Sequence, residues 1–188
     1  MPSGYFSNPI IFLIEILFGL YMTIVALRII MQWAEWEYNN PLVKFILRAT
    51  QIPVKFLRRF IPAVGRWDSA TIVLLLALAA VKLLLLSLFQ TSLPQPVTLF
   101  FLTLAEIFSL FITLFTVSII VEVILSWVSP PDSYNPITPL ISRMNAPLLN
   151  PIRRNLPQLS GIDFSPFIVL LGLQVFSMLV MPLLTGHM

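Results

Sequence analysis

The sequence predicts an all-α membrane protein: four transmembrane helices arranged as two parallel-repeat units, each with a proline-broken amphipathic interfacial helix on the cytoplasmic side. Three observations carry that expectation. The first is composition: of 188 residues, 58% are hydrophobic and 10% charged, with a mean hydropathy of +0.94, whereas soluble domains carry about a quarter charged residues. The second is a set of four apolar runs long enough to cross a bilayer, which takes roughly 20 residues. The third is an internal repeat. Trp33, Asn40, Pro41, Arg48, Arg58, Arg59, Pro62 and Asp68 recur as Trp127, Asn135, Pro136, Arg143, Arg153, Arg154, Pro157 and Asp163. From Asn40 and Asn135 onward the offset is 95 residues, and between the tryptophans it is 94, a register that chance does not produce. The units divide as residues 1–93 and 94–188.

The first span covers about 9–34 and starts at Asn8-Pro9, a capping residue followed by proline in the first turn. It is too long for the apolar core of a signal peptide and lacks a basic flank, so it is expected to remain as a span. The second span covers 69–92, the third 96–129 behind Pro94 and Pro96, and the fourth 164–185. Asp68 and Asp163 stand just before spans two and four. A helix N-terminus favours an anion and a side-chain acceptor, so both are expected as helix caps.

Basic residues set the orientation. Lys44, Arg48, Lys55, Arg58, Arg59 and Arg66 lie between the first two spans, and Arg143, Arg153 and Arg154 between the last two. The N-terminal segment, the 90–95 connection and the tail hold none. Positive residues mark the cytoplasmic side, which puts both long loops there and both termini in the periplasm. Two units of one orientation are expected to be related by a pseudo-twofold axis along the membrane normal.

Each long loop has helical periodicity. Lys44, Arg48, Gln51, Lys55 and Arg58/Arg59 recur every three or four residues against Leu42, Phe45, Ile46, Ala49, Ile52, Phe56 and Phe60. The second loop sets Arg143, Asn150, Arg153 and Arg154 against Ile137, Leu140, Ile141, Met144, Leu148 and Ile152. Pro53 is expected to bend or interrupt the first helix, and Pro147 and Pro151 to break the second. An apolar face with a basic rim suits an in-plane interfacial helix, where each cation near an anionic leaflet contributes about 1 kcal/mol. Lys44, Arg48, Lys55, Arg58, Arg59, Arg143, Arg153 and Arg154 are therefore the candidate contacts to membrane lipids including anionic headgroups, to a protein partner, or within a homo-oligomer. Direct nucleic-acid binding is disfavoured, because headgroups compete for the same charges.

Five ionisable residues fall within or near the spans, where charge is costly and usually faces a protein interior. Glu15, Lys82 and Glu106 share a depth in the outer half to middle of the bilayer. Arg28 and Glu122 form a deeper layer, each five residues before its tryptophan. That equivalence leads to an expected Arg28–Glu122 ion pair across the axis, with Lys82 shared by Glu15 and Glu106. Such layers either fix helix packing or form a cation or proton path. A central lysine repels small cations, and no Gly-rich filter or broken-helix pair is present.

The chain has no cysteine, which excludes disulfides and thiolate chemistry. Its single histidine, His187, is next to the C-terminus, far from any serine in the loops. With no phosphate-cradling loop either, no catalytic residue, metal or cofactor is expected, and the protein reads as a non-enzyme.

The segments Ser126-Trp127, Asn135-Pro136, Asn150-Pro151-Ile152-Arg153-Arg154-Asn155-Leu156-Pro157 and Gly161-Ile162-Asp163-Phe164-Ser165-Pro166 resemble the signature of the YggT/YlmG family. Gln32-Trp33, Asn39-Asn40-Pro41, Leu57-Arg58-Arg59-Phe60-Ile61-Pro62-Ala63 and Asp68-Ser69-Ala70 follow the same pattern in the first copy. The resemblance covers nearly the whole chain, and the doubling is similar to that of gammaproteobacterial members. It implies a bacterial inner-membrane protein without established enzymatic activity. Relatives have been linked to osmotic or ion homeostasis, to division and nucleoid organisation, and to cytochrome assembly. The first copy has Arg66-Trp67 where the second has Gly161-Ile162, so the copies need not share one task. The function expected is a non-catalytic inner-membrane scaffold or assembly factor. The alternative is potassium or proton transport, or its regulation, in osmotic stress tolerance.

Overall fold

A computed structural model describes residues 7–62, 67–89, 93–128, 135–155 and 163–186. Its regular elements are six helices: α1 (Ser7–Trp33), α2 (Pro41–Leu57), α3 (Ser69–Ser87), α4 (Pro96–Val128), α5 (Thr138–Asn155) and α6 (Ser165–Thr185). Four of them, α1 from Pro9 onward, α3, α4 and α6, are long and apolar enough to cross a membrane. Each is apolar all round, as a helix surrounded by lipid must be. The 33 residues of α4 extend about 50 Å at 1.5 Å each, well beyond a hydrocarbon core of roughly 30 Å, so this helix tilts or projects.

Local chemistry sets the helix ends on the loop side. Past Trp33, Ala34 N–H bonds to Ile30 O at 2.7 Å and Trp36 N–H reaches Met31 O at 3.1 Å. Glu35 between them takes the left-handed conformation, φ 51°. This six-to-one closure is a Schellman turn with glutamate at the position usually given to glycine. Asn40 then starts α2, its Oδ1 accepting from Leu42 N–H at 2.9 Å, with Pro41 in the first helical position. Asn135 Oδ1 likewise accepts from Ile137 N–H at 2.9 Å, in the turn that precedes α5. The Asn40 side-chain amide also donates to Pro136 O at 2.7 Å, tying the two loop starts together.

The loop helices differ from expectation in two ways. First, α2 and α5 each run as one helix across their prolines rather than breaking there. The carbonyl that Pro53 cannot engage belongs to Ala49, and it receives the Tyr21 hydroxyl at 3.4 Å. Pro147 and Pro151 are exposed, which leaves the carbonyls they free within reach of water. Second, α2 has three faces rather than two. Val43, Ile46, Thr50 and Val54 are buried in the bundle, Phe45, Ile52 and Phe56 project outward, and Lys44, Arg48, Gln51 and Lys55 form the polar side.

Three core clusters join the helices. Met22, Val25 and Ala26 of α1 pack with Val54 of α2 and Ala70, Leu74, Leu75 and Ala79 of α3, the alanines allowing close backbone approach. Ile30, Met31 and Trp36 pack with Val43, Ile46, Leu140 and Met144 of the two loop helices. Ile119, Leu149 and Val169 join α4, α5 and α6. Between the halves, α4 packs on α3 and more lightly on α1, where Trp33 meets Phe115 edge-on at 5.9 Å. Trp127, its counterpart in the repeat, is 82% exposed. A twofold would bring α6 against α1 as closely as α3 against α4, and no such packing occurs among the described residues. The expected pseudo-twofold therefore does not describe the packing. Lys82 ties α3 to Glu106 of α4, and the positions corresponding to this pair, Ser177 and Phe12, hold no charges to repeat it.

Candidate functional site

Each loop returns on itself through an arginine at the end of its amphipathic helix and an aspartate ten residues on. In the first half Arg58 grips Asp68 through both oxygens, Nε to Oδ1 at 3.2 Å and Nη2 to Oδ2 at 2.6 Å, the bidentate geometry that suits a guanidinium. Thr71 donates its hydroxyl to Asp68 Oδ2 at 2.7 Å, and Gln32 Oε1 accepts the Asp68 N–H at 3.3 Å. Arg28 enters from α1, with Nη2 3.6 Å from Asp68 Oδ2 and Nη1 donating to Thr50 Oγ1 at 2.7 Å. Arg28, Thr50 and Asp68 are all buried. Burial pushes the Asp68 carboxyl up, but the hydrogen bonds from Arg58 and Thr71 and the charges of Arg58 and Arg28 outweigh it and hold its pKa below the usual carboxylate value. Arg58 is raised in turn by its bond to Asp68. Beside this cluster opens a cavity of about 400 Å³ lined by Arg28, Leu47, Gln51, Val54, Lys55 and Arg58.

The second half repeats the clasp in looser form. Arg153 Nε donates to Asp163 Oδ2 at 2.8 Å, with side chains 39% and 45% exposed. Desolvation raises the Asp163 pKa, while hydrogen bonds from Ser165 and Arg153 bring it below the ordinary value. Glu122 enters from α4 where Arg28 enters from α1. Its Oε1 lies 3.5 Å from Arg153 Nη2, and its Oε2 accepts from Asn145 Nδ2 at 2.7 Å. The Asn145 Oδ1 in turn accepts from Ser118 Oγ at 2.6 Å. Thr50 and Asn145, Arg58 and Arg153, Asp68 and Asp163 are thus the same positions 95 residues apart.

The expected Arg28–Glu122 pair is not formed. Depth along a span fixes height but not direction around the axis, and each residue meets a nearer partner in its own hairpin. Arg28 takes the aspartate of its clasp, and Glu122 takes the arginine of the other. The sharing of Lys82 is also corrected: Lys82 closes on Glu106, while Glu15 lies on the exposed surface of α1. Asp68 occupies the N-cap position of α3, yet its side chain makes no cap hydrogen bond to the helix backbone, because both oxygens are engaged by Arg58 and Thr71. Asp163 does accept from a helix-start amide, Ser165 N–H at 2.9 Å.

The eight loop cations are exposed, but they divide by partner. Arg58 and Arg153 close the clasps. Arg143 reaches back to the first half, donating to Glu35 O at 2.8 Å and to Glu37 Oε1 at 2.7 Å. Lys44, Arg48, Lys55, Arg59 and Arg154 make no ion pair among the described residues, whereas Arg66 and His187 lie outside them. Thr50, Asn145 and Glu37 were not singled out from sequence. Thr50 and Asn145 had a signal, a polar residue at matching positions on two otherwise apolar helix faces. Glu37 had none, since its counterpart falls between the repeat's fixed positions.

Both halves carry the same clasp in the same register, and one family pattern accounts for both. The CCB3/YggT family matches the chain twice, over residues 7–89 and 101–184. The chain belongs to the CCB3/YggT family. A relative from Escherichia coli K12, named "Uncharacterized protein YggT", is 40% identical over 183 residues, covering 96% of this chain and 95% of the relative. An uncharacterized protein of Pseudomonas aeruginosa is 39% identical, covering 93% of this chain and 89% of the relative. One from Vibrio alginolyticus is 36% identical over 89% of this chain and 90% of its own length. No solved structure matches the chain. Each family match contains one full clasp, from its spanning helix through its loop helix to the aspartate.

Proposed function

We propose that this YggT-family protein is a non-catalytic scaffold or assembly factor of the bacterial inner membrane, with both termini in the periplasm. In this reading α2 and α5 lie at headgroup level on the cytoplasmic side and present Lys44, Arg48, Lys55, Arg59 and Arg154 to anionic lipid and to a protein partner. The observation that supports it best is the division of α2 into three faces, one for the bundle, one apolar and outward, one basic. A helix lying between lipid and water needs all three, and a soluble loop has no use for exposed Phe45, Ile52 and Phe56. Closure of Lys82 on Glu106 favours charge spent on packing over charge spent on conduction.

Proteoliposomes of purified protein test the reading directly. Potassium, sodium and proton flux should stay at the level of empty vesicles, and brominated or spin-labelled lipids should quench fluorophores placed at Ile52 and Phe56 at headgroup depth. Flux abolished by Glu106→Gln in folded protein would overturn the scaffold in favour of transport.

A further inference from the structure

The first half holds more cationic charge than its carboxylate balances. Arg28 and Arg58 share Asp68, and Lys55 stands on the same cavity wall without an ion pair among the described residues. The Arg28 side chain is 6% exposed, and its enclosed Nε has no hydrogen-bond partner among the described residues. Arg28, Lys55 and Arg58 thus put three cationic side chains on the lining of one cavity of about 400 Å³, with Asp68 as counter-ion to two of them. We propose that this cavity binds a phosphoryl anion, with Lys55, Arg58 and Gln51 as donors, Arg28 as a buried charge behind them, and Leu47 and Val54 as the apolar wall. Guanidinium and ammonium groups together match a tetrahedral oxyanion with several acceptors. In the second half the positions of Arg28, Lys55 and Gln51 are Glu122, Asn150 and Ala146, which reverse or remove the charge, so the site belongs to the first half alone. A phospholipid headgroup and free phosphate both present this chemistry, and only the lipid source rests on the headgroup-level placement of α2.

The test is the thermal stability of purified protein in neutral detergent, titrated with phosphatidylglycerol, phosphatidylcholine or inorganic phosphate. Phosphatidylglycerol should raise the melting temperature saturably, and Lys55→Glu should weaken its half-saturation at least tenfold. Asn150→Glu places a carboxylate at the corresponding position of the other loop and should leave it within twofold. Stabilisation by inorganic phosphate as well would assign the site to any phosphoryl anion, and by the lipid alone to a headgroup. No saturable effect of either, or equal weakening by both variants, would overturn the proposal whatever the outcome of the flux experiment.

A separate observation concerns Glu15. It sits among Leu13, Ile16, Leu17 and Leu20, which are 54%, 42%, 63% and 62% exposed. Ninety-four residues on, the counterparts of those four are Ile107, Leu110, Phe111 and Leu114, and all four pack against the core that includes α3. The face of α4 that receives α3 is thus present on α1 but uncovered. The matching surface exists on α6, where buried Ala79 of α3 becomes exposed Gln174 and Lys82 becomes Ser177. The geometry points to a second copy of the chain as the occupant, its α6 lying on α1 as α3 lies on α4.

In that register Phe12 and Ser177, the counterparts of Glu106 and Lys82, are level. Glu15 and Gln174 each fall three residues, about 4.5 Å, nearer the loops. The neighbour's amide and hydroxyl groups then serve a carboxylate that lipid cannot. The contact is head-to-tail, so it closes a ring or extends a row rather than making a twofold dimer.

Because the chain contains no cysteine, Phe12→Cys and Ser177→Cys chains with different tags can be co-expressed at low level and treated in membranes with a short thiol crosslinker. A mixed dimer should form, with neither variant crosslinking to itself. Leu13→Cys with Gln174→Cys is the second pair should either first variant fail to fold. Self-crosslinking of the Phe12→Cys chain at the mixed rate, or no mixed product from folded protein with either pair, would overturn the contact.

Discussion

Asparagine in place of Asp68 should be far more damaging than the same change at Asp163, although both aspartates close equivalent clasps. Asp68 is 3% exposed and faces two guanidiniums, Arg58 at 2.6 Å and Arg28 at 3.6 Å. Arg58 is half exposed and can turn to water when the charge is removed. Arg28, at 6% exposed, cannot, and is left as a buried cation without a counter-ion. Removing one partner of a buried pair costs about 3–5 kcal/mol. Asp163 and Arg153 are both more than a third exposed, where a pair contributes about 0.2–1 kcal/mol. Equilibrium unfolding of the two variants in detergent micelles should therefore separate them by at least about 2 kcal/mol. Arg28→Met added to Asp68→Asn should recover part of the loss, since it removes the orphaned charge. Equal losses from the two aspartates, or no recovery with the second substitution, would refute the assignment of Arg28 as the residue that makes the first clasp critical.

Acid should act through the same carboxylate. The folded pKa of Asp68 lies below its unfolded value of about 3.9, so its contribution is complete above that value and is lost as pH falls through the folded one. Melting curves from pH 6 to pH 3 should fall below about pH 4, and Asp68→Asn should flatten that limb. Combining Arg28→Glu with Glu122→Arg should give no more folded protein than the worse single reversal, since the two residues belong to different clasps. Asn40→Ala should cost about 1–2 kcal/mol and Asn135→Ala about 0.5–1 kcal/mol. Both lose an oxygen that holds the amide two residues on, but only Asn40 caps a helix and holds Pro136; chemical denaturation of each variant checks the difference.

Hydropathy was enough to place the spans, and the expected limits of 69–92 and 96–129 stand close to Ser69–Ser87 and Pro96–Val128. It sufficed because a bilayer imposes a length and a polarity that one helix must meet alone. What lay out of reach was azimuth. Arg28 and Glu122 have matching sequence positions, yet a matched height says nothing about which side of a helix faces which neighbour. Glu15, Lys82 and Glu106 fall at one depth, and only two of them meet. The prolines misled for a related reason: a missing N–H counts against a helix only if the freed carbonyl stays unserved, and Tyr21, 28 residues from Ala49, is invisible to local pattern. Clasp positions were legible as a conserved spacing within the chain, but their reach to a residue in the preceding span was not.

The opposite signs at Arg28 and Glu122 have one more consequence. An arginine and an aspartate held together form an amphoteric socket, able to receive either a cation or an anion from the neighbouring span. The first socket holds two cations to one carboxylate, and the second two carboxylates to one cation. At the loop end the two sockets are therefore polarised within the plane of the membrane, the first net positive and the second net negative. Two halves that match one family pattern thereby give the chain a compass direction parallel to the bilayer.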